Sequence, residues 1–344
     1  MTSRTPRQLA FTIVQYSIAV LALGWLLSQV ALVEAARRLA GVGLPTALVI
    51  VGLSLLGALA QFTTWKAVLQ PIRSVRVRTV ASISLAVNFI NQLLPSRLSG
   101  RVAAPFVIRA NTGMDYPEAA AVSGVHTGIY AVLYGIVSTA GVLAIAIRET
   151  PSAGLLALLV ISTALYLLAG GVVLLAGTNL RLLEPIVSGI ATVLKRVPRV
   201  GPRGAEWVRS LTDFTEASTQ AFRELSANRR VWIRYAVSWG VVLLVAPGVR
   251  VWLMLSAFGI EFEPAFLLPL YLLAGYSVTL LPISPGGIGV TEATATAVFI
   301  TVGIPGSVIV PIVFVDRIFG IYLPALLGWI PTARLDLSRL ARGD

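Results

Sequence analysis

Two long apolar segments of the chain are each interrupted near the middle by a short break rich in proline, glycine and polar residues. The first segment runs from Val80 to Asn111 and is broken by LPSRLSGR at 94–101. The second runs from Ala265 to Val302 and is broken by LPISPGGIG at 281–289. Each break opens with the same Leu-Leu-Pro sequence. In a membrane protein, two interrupted segments at matching places in the two halves indicate a solute site near the bilayer midplane.

The composition identifies the class of protein. Hydrophobic residues make up 56% of the chain, charged residues 12%, and the mean hydropathy is +0.85, which together predict a polytopic membrane protein. Cysteine is absent and histidine occurs once, so we expect no disulfide framework, no metal site, no His-based catalytic triad and no cofactor. The net charge of +12 does not predict a nucleic-acid partner here, because membrane proteins concentrate Lys and Arg in cytoplasmic loops.

Six uninterrupted stretches are long enough to cross about 30 Å of hydrocarbon. They are Phe11–Val33, Leu44–Leu69, Glu118–Ile147, Ala153–Ala176, Val231–Ala257 and Pro305–Ile330. The arms of the two interrupted segments, roughly 11 to 17 residues each, are short for independent crossings. We therefore expect re-entrant hairpins at 80–111 and 265–302, with their breaks buried in protein or lining a wet cavity. The predicted fold is an all-α polytopic membrane protein with about six full transmembrane helices and two opposed re-entrant helical hairpins.

The distribution of charge predicts the orientation in the cytoplasmic membrane. Four regions, which are the N-terminal tail, the loop at 66–78, the stretch 178–230 and the C-terminal end, hold 18 of the 27 basic residues. They fall on one side if each hairpin returns to the side from which it enters. Both termini are then cytoplasmic, and the two hairpins enter from opposite faces, as in an inverted repeat.

A second pattern favours the repeat and divides the chain. Gly113 and Gly303 each follow a hairpin, and each precedes a polar residue of the next helix, His126 and Asp316, by 13 positions. We predict an N-terminal membrane repeat at 1–177, a cytoplasmic amphipathic linker at 178–230, and a C-terminal membrane repeat at 231–344.

Arginines in the first break are the first candidates for substrate binding. Arg97 and Arg101 lie about one helical turn apart in the interruption itself. Guanidinium groups bind phosphate oxygens in bidentate fashion and keep their charge when buried. The alternative is structural, namely that these arginines pair with Glu292 or Asp316.

Glycines in the second break provide the other half of the candidate site. Ser284, Gly286, Gly287 and Gly289 surround the start of a helix that we expect to begin near Ile288. Such a helix start would aim backbone N–H groups at a phosphate or carboxylate, and glycine would allow close approach. The alternative is a tight turn that needs glycine for its backbone geometry alone.

Ionisable residues inside the spans complete the candidate set. Glu292 and Asp316 are acidic residues of the membrane core, and Arg317 is a further candidate for substrate binding. Glu292 either carries a proton or compensates the charge of Arg101 or Arg317. Asp316 and Arg317 point about 100° apart on a helix, so we expect them to have different partners. His126 is either a hydrogen-bonded structural residue or a functional one.

These residues lie in sequence that resembles a known family. The stretches 91–100, 281–292 and 316–328 are similar to the transmembrane domain of lysylphosphatidylglycerol synthases and their stand-alone relatives. In the synthases this domain is linked to flipping of the modified phospholipid, and a separate soluble domain transfers the amino acid; we expect no such domain here. Other relatives accompany glycosyltransferases. The sequence departs from the family where Arg101 follows the first glycine and where the next helix has His126.

The resemblance implies a flippase-like translocase for an anionic lipid, either a phospholipid or a polyprenyl-phosphate-linked sugar. A separate lipid- or glycan-modifying enzyme is a possible partner. Two alternatives stay open from the residues alone. One is a membrane-embedded enzyme that acts on lipid phosphates, although no nucleophile and base pair is evident. The other is a membrane scaffold that transports nothing and holds a lipid- or glycan-synthesis enzyme.

Overall fold

The computed structural model describes residues 43–93, 97–178 and 219–334, and every regular element within these ranges is helical. Five of the described helices are long and apolar enough to cross a membrane: α1 (Leu44–Leu69), α4 (Tyr116–Arg148), α5 (Ala153–Thr178), α6 (Arg229–Ala257) and α9 (Gly306–Ala333). They match five of the six predicted spans to within a few residues. The sixth, Phe11–Val33, lies outside the described residues.

Both interrupted segments are divided into two helices. The first comprises α2 (Val77–Leu93) and α3 (Arg97–Thr112), which pack against each other. The second comprises α7 (Leu267–Tyr276) and α8 (Val290–Thr301), which also pack together. At 1.5 Å per residue these helices are about 15 to 26 Å long, less than the roughly 30 Å of hydrocarbon that a full span must cross.

The second break owes its shape to proline and glycine. After α7 the chain makes one 3₁₀ turn, Ser277–Leu280, and then a second at Pro285–Gly287. Gly286, Gly287 and Gly289 have φ of 60°, 76° and 82°, a region that other residues rarely adopt. The chain cannot continue as a regular helix through these three positions.

Two further glycines end the second helix of each pair in the same way. Gly113 follows α3 with φ of 66°, and Gly303 follows α8 with φ of 88°. In both places the next long helix begins three residues later, at Tyr116 and at Gly306. Left-handed glycine is a common way to end a helix, and here the same ending occurs at equivalent places in the two halves.

Small residues allow the helices to approach closely where the core is built. A Cβ atom at Gly141 of α4 would clash with the Leu270 carbonyl oxygen of α7, and one at Gly275 would lie 2.7 Å from the Ala295 Cα of α8. Packing of this kind drives helix association in lipid, where apolar burial gives little. Two apolar clusters fill the interior, one around α2 and α4 and one around α7, α8 and α9.

Only the last part of the predicted linker 178–230 is described. Residues 219–227 are helical, and the apolar side chains Phe222 and Leu225 are 4% and 1% exposed. The Phe222 ring occupies the space where Gly124 of α4 and Gly177 of α5 lack a side chain. This short helix is therefore anchored between two membrane helices.

Candidate functional site

A narrow cavity of about 140 Å³ lies among α1, α2, α4, α6, α7 and α9. Its wall is unusually polar for the interior of a membrane bundle. The polar and aromatic side chains on it are Ser54, Gln61, Phe62, Trp65, Asn88, Asn91, Gln92, His126, Tyr130, Tyr134, Arg250, Tyr276, Asp316, Arg317 and Phe319. Ionisable groups at membrane depth are costly and mark functional sites, so this cavity is the candidate site.

The first ion pair of the cavity joins α6 to α9. Arg250 donates from Nη2 and Nε to the Oδ1 atom of Asp316, at 2.6 and 3.0 Å. The Tyr276 hydroxyl donates to the other oxygen, Oδ2, at 2.9 Å. Arg250 also reaches the Ser54 hydroxyl of α1 at 3.5 Å. Both charged side chains are almost fully buried, and both carboxylate oxygens of Asp316 accept hydrogen bonds.

The second ion pair joins α9 to the first turn of α8. Arg317 donates from Nε to the Oε1 atom of Glu292 at 2.7 Å, and the Tyr322 hydroxyl donates to the same oxygen. The other oxygen, Oε2, accepts the Gly289 N–H at 2.7 Å. The Arg317 guanidinium also lies 5.4 Å from the ring centres of Tyr276 and Tyr322, close enough for cation–π attraction to both. Asp316 and Arg317 therefore have different partners, as their helical spacing predicted.

These four charges cancel. Two arginines and two carboxylates are buried in pairs, and each carboxylate accepts hydrogen bonds at both oxygens from protein donors. Breaking such a pair at one partner costs about 3–5 kcal/mol because it leaves a buried charge uncompensated. The two pairs therefore hold α6, α8 and α9 in register.

Three residues of the wall each have one buried polar atom, turned away from the cavity space, without a hydrogen-bond partner among the residues that the structure describes. The atoms are Arg317 Nη2, Asn91 Oδ1 and Gln92 Oε1, all of them buried. A buried polar atom left without a partner costs about 1–3 kcal/mol. One free donor and two free acceptors thus belong to residues on the wall of the same cavity.

The far end of the cavity is aromatic. Trp65 of α1 stacks on the His126 ring with centroids 3.8 Å apart and planes 14° apart. The Tyr235 hydroxyl of α6 lies 3.1 Å from His126 Nδ1 and donates to the His126 carbonyl, also at 3.1 Å. Trp65 is eleven residues from Ser54 on α1, about 16 Å at the rise of a helix. The cavity therefore extends about 16 Å along α1, from the Arg250 and Asp316 pair to the cluster around His126.

A π-helical turn interrupts each of the two helices that contribute arginine to the cavity. Val241–Val245 precedes Arg250 in α6, and Ile318–Tyr322 follows Arg317 in α9. A proline lies two residues beyond each turn, Pro247 and Pro324. Proline has no N–H and its ring crowds the carbonyl four residues back, which here falls inside the turn in both cases. The helix widens at these points, a geometry that is frequent at functional sites.

The structure brings some predicted site residues to the cavity and leaves others away from it. Arg317, Asp316 and His126 lie on the wall, and Glu292 lies directly behind Arg317. Arg97 and Arg101 belong to the start of α3, and their side chains lie outside the described part of the structure.

The glycine-rich break packs against protein rather than lining the cavity. The Ser284 hydroxyl donates to the Ile288 carbonyl at 2.8 Å. A side chain at Gly286 would clash with Gln92 of α2, and a Cβ at Gly287 would lie 2.6 Å from the Thr291 hydroxyl oxygen. The helix begins at Val290 rather than near Ile288, and Glu292 accepts the Gly289 N–H, so that N–H is not available to a ligand.

Sequence reasoning missed several residues of the site. Arg250 lies in an apolar span and required a counter-charge, but no spacing indicated that Asp316, 66 positions away, provides it. Tyr276 and Tyr322 carried no signal, since tyrosine is common in membrane helices. Pro247 and Pro324 were the available clue to the π-helical turns, because a proline inside a predicted span marks a local distortion.

Comparison with known proteins identifies the family. The family model described as the lysylphosphatidylglycerol synthase TM region matches residues 12–328. The chain belongs to this family. The cavity and both buried ion pairs lie within the matched region.

Two relatives each align with part of this chain. A UPF0104 membrane protein of Pyrococcus horikoshii is 36% identical over 58 residues, which are 17% of this chain and 17% of the relative. A UPF0104 membrane protein of Methanothermobacter thermautotrophicus is 30% identical over 112 residues, which are 33% of this chain and 32% of the relative. The alignments thus span at most about a third of these relatives. No solved structure matches the chain.

Proposed function

We propose that this protein is a flippase-like membrane translocase for an anionic lipid, either a phospholipid or a polyprenyl-phosphate-linked sugar. The observation that carries the proposal is the polar cavity among membrane-spanning helices, with the Arg317 guanidinium among the groups of its wall. A phosphate oxygen is a good acceptor for such a donor. The lipid tails stay in the bilayer while the head group crosses inside the cavity.

The proposed topology has six full spans, including Phe11–Val33, and two opposed re-entrant hairpins related as an inverted repeat. In support, Arg73, which precedes α2, donates to the Gly113 carbonyl at 2.9 Å, and Gly113 follows α3. The two ends of the first hairpin are therefore neighbours, as expected for a segment that leaves and returns on one side. The matching helix ends at Gly113 and Gly303 support the repeat.

The proposed location is the cytoplasmic membrane with both termini in the cytoplasm. The chain has no cysteine, so single cysteines can be introduced without a background of native thiols. Arg76→Cys and Glu261→Cys are expected to react with a membrane-impermeant maleimide from opposite faces, the first from the cytoplasmic side. Labelling of both from one face would refute this orientation.

Leaflet exchange in reconstituted vesicles tests the function. An acyl-labelled anionic phospholipid and a labelled polyprenyl phosphate sugar should each be tried, since either class fits the proposal. Because Arg317→Gln alone leaves Glu292 uncompensated, the informative variant combines Arg317→Gln with Glu292→Gln. It should slow exchange by about tenfold or more, the effect of losing one charge-assisted hydrogen bond.

Arg234→Gln is the matched control, because Arg234 is an exposed arginine of α6 that lies away from the cavity. Its exchange rate should equal that of the unaltered protein. Folded protein that exchanges none of the anionic lipids faster than empty vesicles would overturn the proposal. Release of a chemically altered lipid would instead favour the enzyme, and stable co-purification with a synthase without exchange would favour the scaffold.

A further inference from the structure

Two side-chain amides of the cavity wall are both accessible and without a protein partner. Gln61 of α1 and Asn88 of α2 lie on the wall and are partly exposed. Neither side chain makes a hydrogen bond to the described part of the chain, and neither has an atom among the buried ones that lack a partner. An amide at membrane depth without a protein partner requires water or a ligand, because an unsatisfied polar group in hydrocarbon costs several kcal/mol.

Gln61 lies between the two ends of the cavity. On α1 it follows Ser54, which contacts Arg250, by seven residues, and it precedes Trp65, which stacks on the His126 ring, by four. At the rise of a helix these separations are about 10 Å and about 6 Å. Spacings of seven and four residues place all three positions of α1 on one helix face. The Gln61 amide therefore belongs to the middle of the cavity.

Asn88 belongs to the face of α2 that lines the same cavity. Leu85, Asn88 and Gln92 are spaced three and four residues apart, and all three lie on the wall. Gln92 packs against Gly286, where a side chain would clash with it. Asn88 is thus about 6 Å along α2 from the contact with the second break. Because α1 and α2 pack against each other, the two amides come from neighbouring helices.

These amides differ in kind from the charged groups of the wall. Both arginines there are already engaged by carboxylates. A side-chain amide carries no charge and offers both donor N–H groups and an acceptor oxygen. We infer that Gln61 and Asn88 form a neutral subsite in the middle of the cavity, which donates to the phosphate oxygens of a lipid head group and accepts from its hydroxyl groups. This inference rests on the proposed function, because it names groups of the same cavity that hold the head group as it crosses.

Single cysteines test the subsite independently of transport. Gln61→Cys and Asn88→Cys are placed in phosphatidylcholine nanodiscs, where both membrane faces are open, and treated with an anionic methanethiosulfonate. A thiol reacts as the thiolate, which forms in a wet cavity and not in hydrocarbon. Both cysteines should be modified, and added phosphatidylglycerol or polyprenyl phosphate hexose should slow the reaction severalfold. The lipid that protects better identifies the source of the head group.

Leu59→Cys is the matched control for accessibility. Leu59 lies on the same helix, two residues before Gln61, and its side chain is exposed without lining the cavity. A cysteine there faces lipid and should stay unmodified.

Leucine variants connect the subsite to transport. Gln61→Leu and Asn88→Leu should each slow leaflet exchange about fivefold, as the loss of one neutral hydrogen bond gives. Neither change should lower thermal stability, because these amides have no partner to lose among the described residues, whereas a structural amide would lower it. Asn111→Leu is the control, since the Asn111 amide donates to the Val107 carbonyl within its own helix, away from the cavity. It should leave the exchange rate unchanged.

The possible failures are separable. The inference is overturned if the cysteines at 61 and 88 stay unmodified, if the cysteine at 59 reacts equally fast, or if neither lipid slows the reaction. If the protein exchanges lipid and both leucine variants match the unaltered protein, translocation stands and the subsite is wrong. If the lipids protect both cysteines but no lipid is exchanged, the subsite stands and the proposed translocation is wrong.

Discussion

Replacing Glu292 by glutamine should destabilise the protein more than any other single isosteric change to a carboxylate of the described core. The Glu292 carboxylate accepts from Arg317 Nε at 2.7 Å, from the Gly289 N–H at 2.7 Å, and from the Tyr322 hydroxyl. The side chain is fully buried. Glutamine offers one oxygen in place of two, so at least one of these donors loses its partner.

The magnitude follows from the charge that remains. Arg317 stays buried and positive after Glu292→Gln, and an ion pair broken at one partner costs about 3–5 kcal/mol of unfolding free energy. Replacing Arg317 by Met in the same chain removes that charge. The double variant should therefore cost less than the sum of the two single variants, by roughly 1–3 kcal/mol of coupling.

Unfolding of the purified protein by SDS in mixed micelles, followed by tryptophan fluorescence, measures these free energies. Glu261→Gln is the control, because Glu261 is exposed in the loop between α6 and α7, and it should stay within about 0.5 kcal/mol of the unaltered protein. A loss of less than about 1 kcal/mol for Glu292→Gln would refute the reasoning. Strict additivity in the double variant would do the same, since uncoupled residues do not form an ion pair.

Three further changes test the packing by the same unfolding measurement. Gly286→Ala introduces a Cβ against Gln92 at a left-handed φ and should cost more than about 1 kcal/mol of unfolding free energy. Gly52→Ala is the control, because Gly52 lies in a helix with open space around it, and it should be neutral or stabilising. Equal effects of the two changes would contradict the clash. Tyr276→Phe keeps the ring over the guanidinium but loses the hydroxyl that donates to a carboxylate, and we expect a loss of about 1.5–3 kcal/mol. Phe222→Ala should cost about 3–5 kcal/mol if the short helix at 219–227 is anchored between α4 and α5, and an unchanged midpoint would show that it is not.

The sequence predicted the helices well because their cause is local. A span needs about twenty apolar residues, and α1 begins and ends where the apolar run of Leu44–Leu69 does. The second break was equally local, since proline and left-handed glycine stop a helix wherever it packs. The start of α8 was misplaced by two residues, because Glu292 caps the Gly289 N–H and Gly289 itself adopts a left-handed φ.

The site was harder to predict because its contacts join distant parts of the chain. Arg250 and Asp316 are 66 positions apart, and the sequence offered several arginines for each acidic residue. The glycines of the second break could have served a ligand or a neighbouring helix. Gln92 of α2, nearly two hundred positions away, fills the space at Gly286, and no pattern near Gly286 indicates that contact.

The charged side chains of the cavity are firmly paired, and few of their hydrogen-bonding groups are left for a ligand. This combination suits the proposed translocase. A head group that met two free arginines would bind tightly and leave slowly. Here Arg250 and much of Arg317 are engaged by carboxylates, so the phosphate of the proposed lipid would gain at most one charge-assisted bond, worth about 1.5–3 kcal/mol. About 16 Å away along α1, a second cluster of polar and aromatic groups surrounds His126. On the proposed function, modest affinity along one path would allow a head group to enter, cross and leave, whereas a single strong site would hold it.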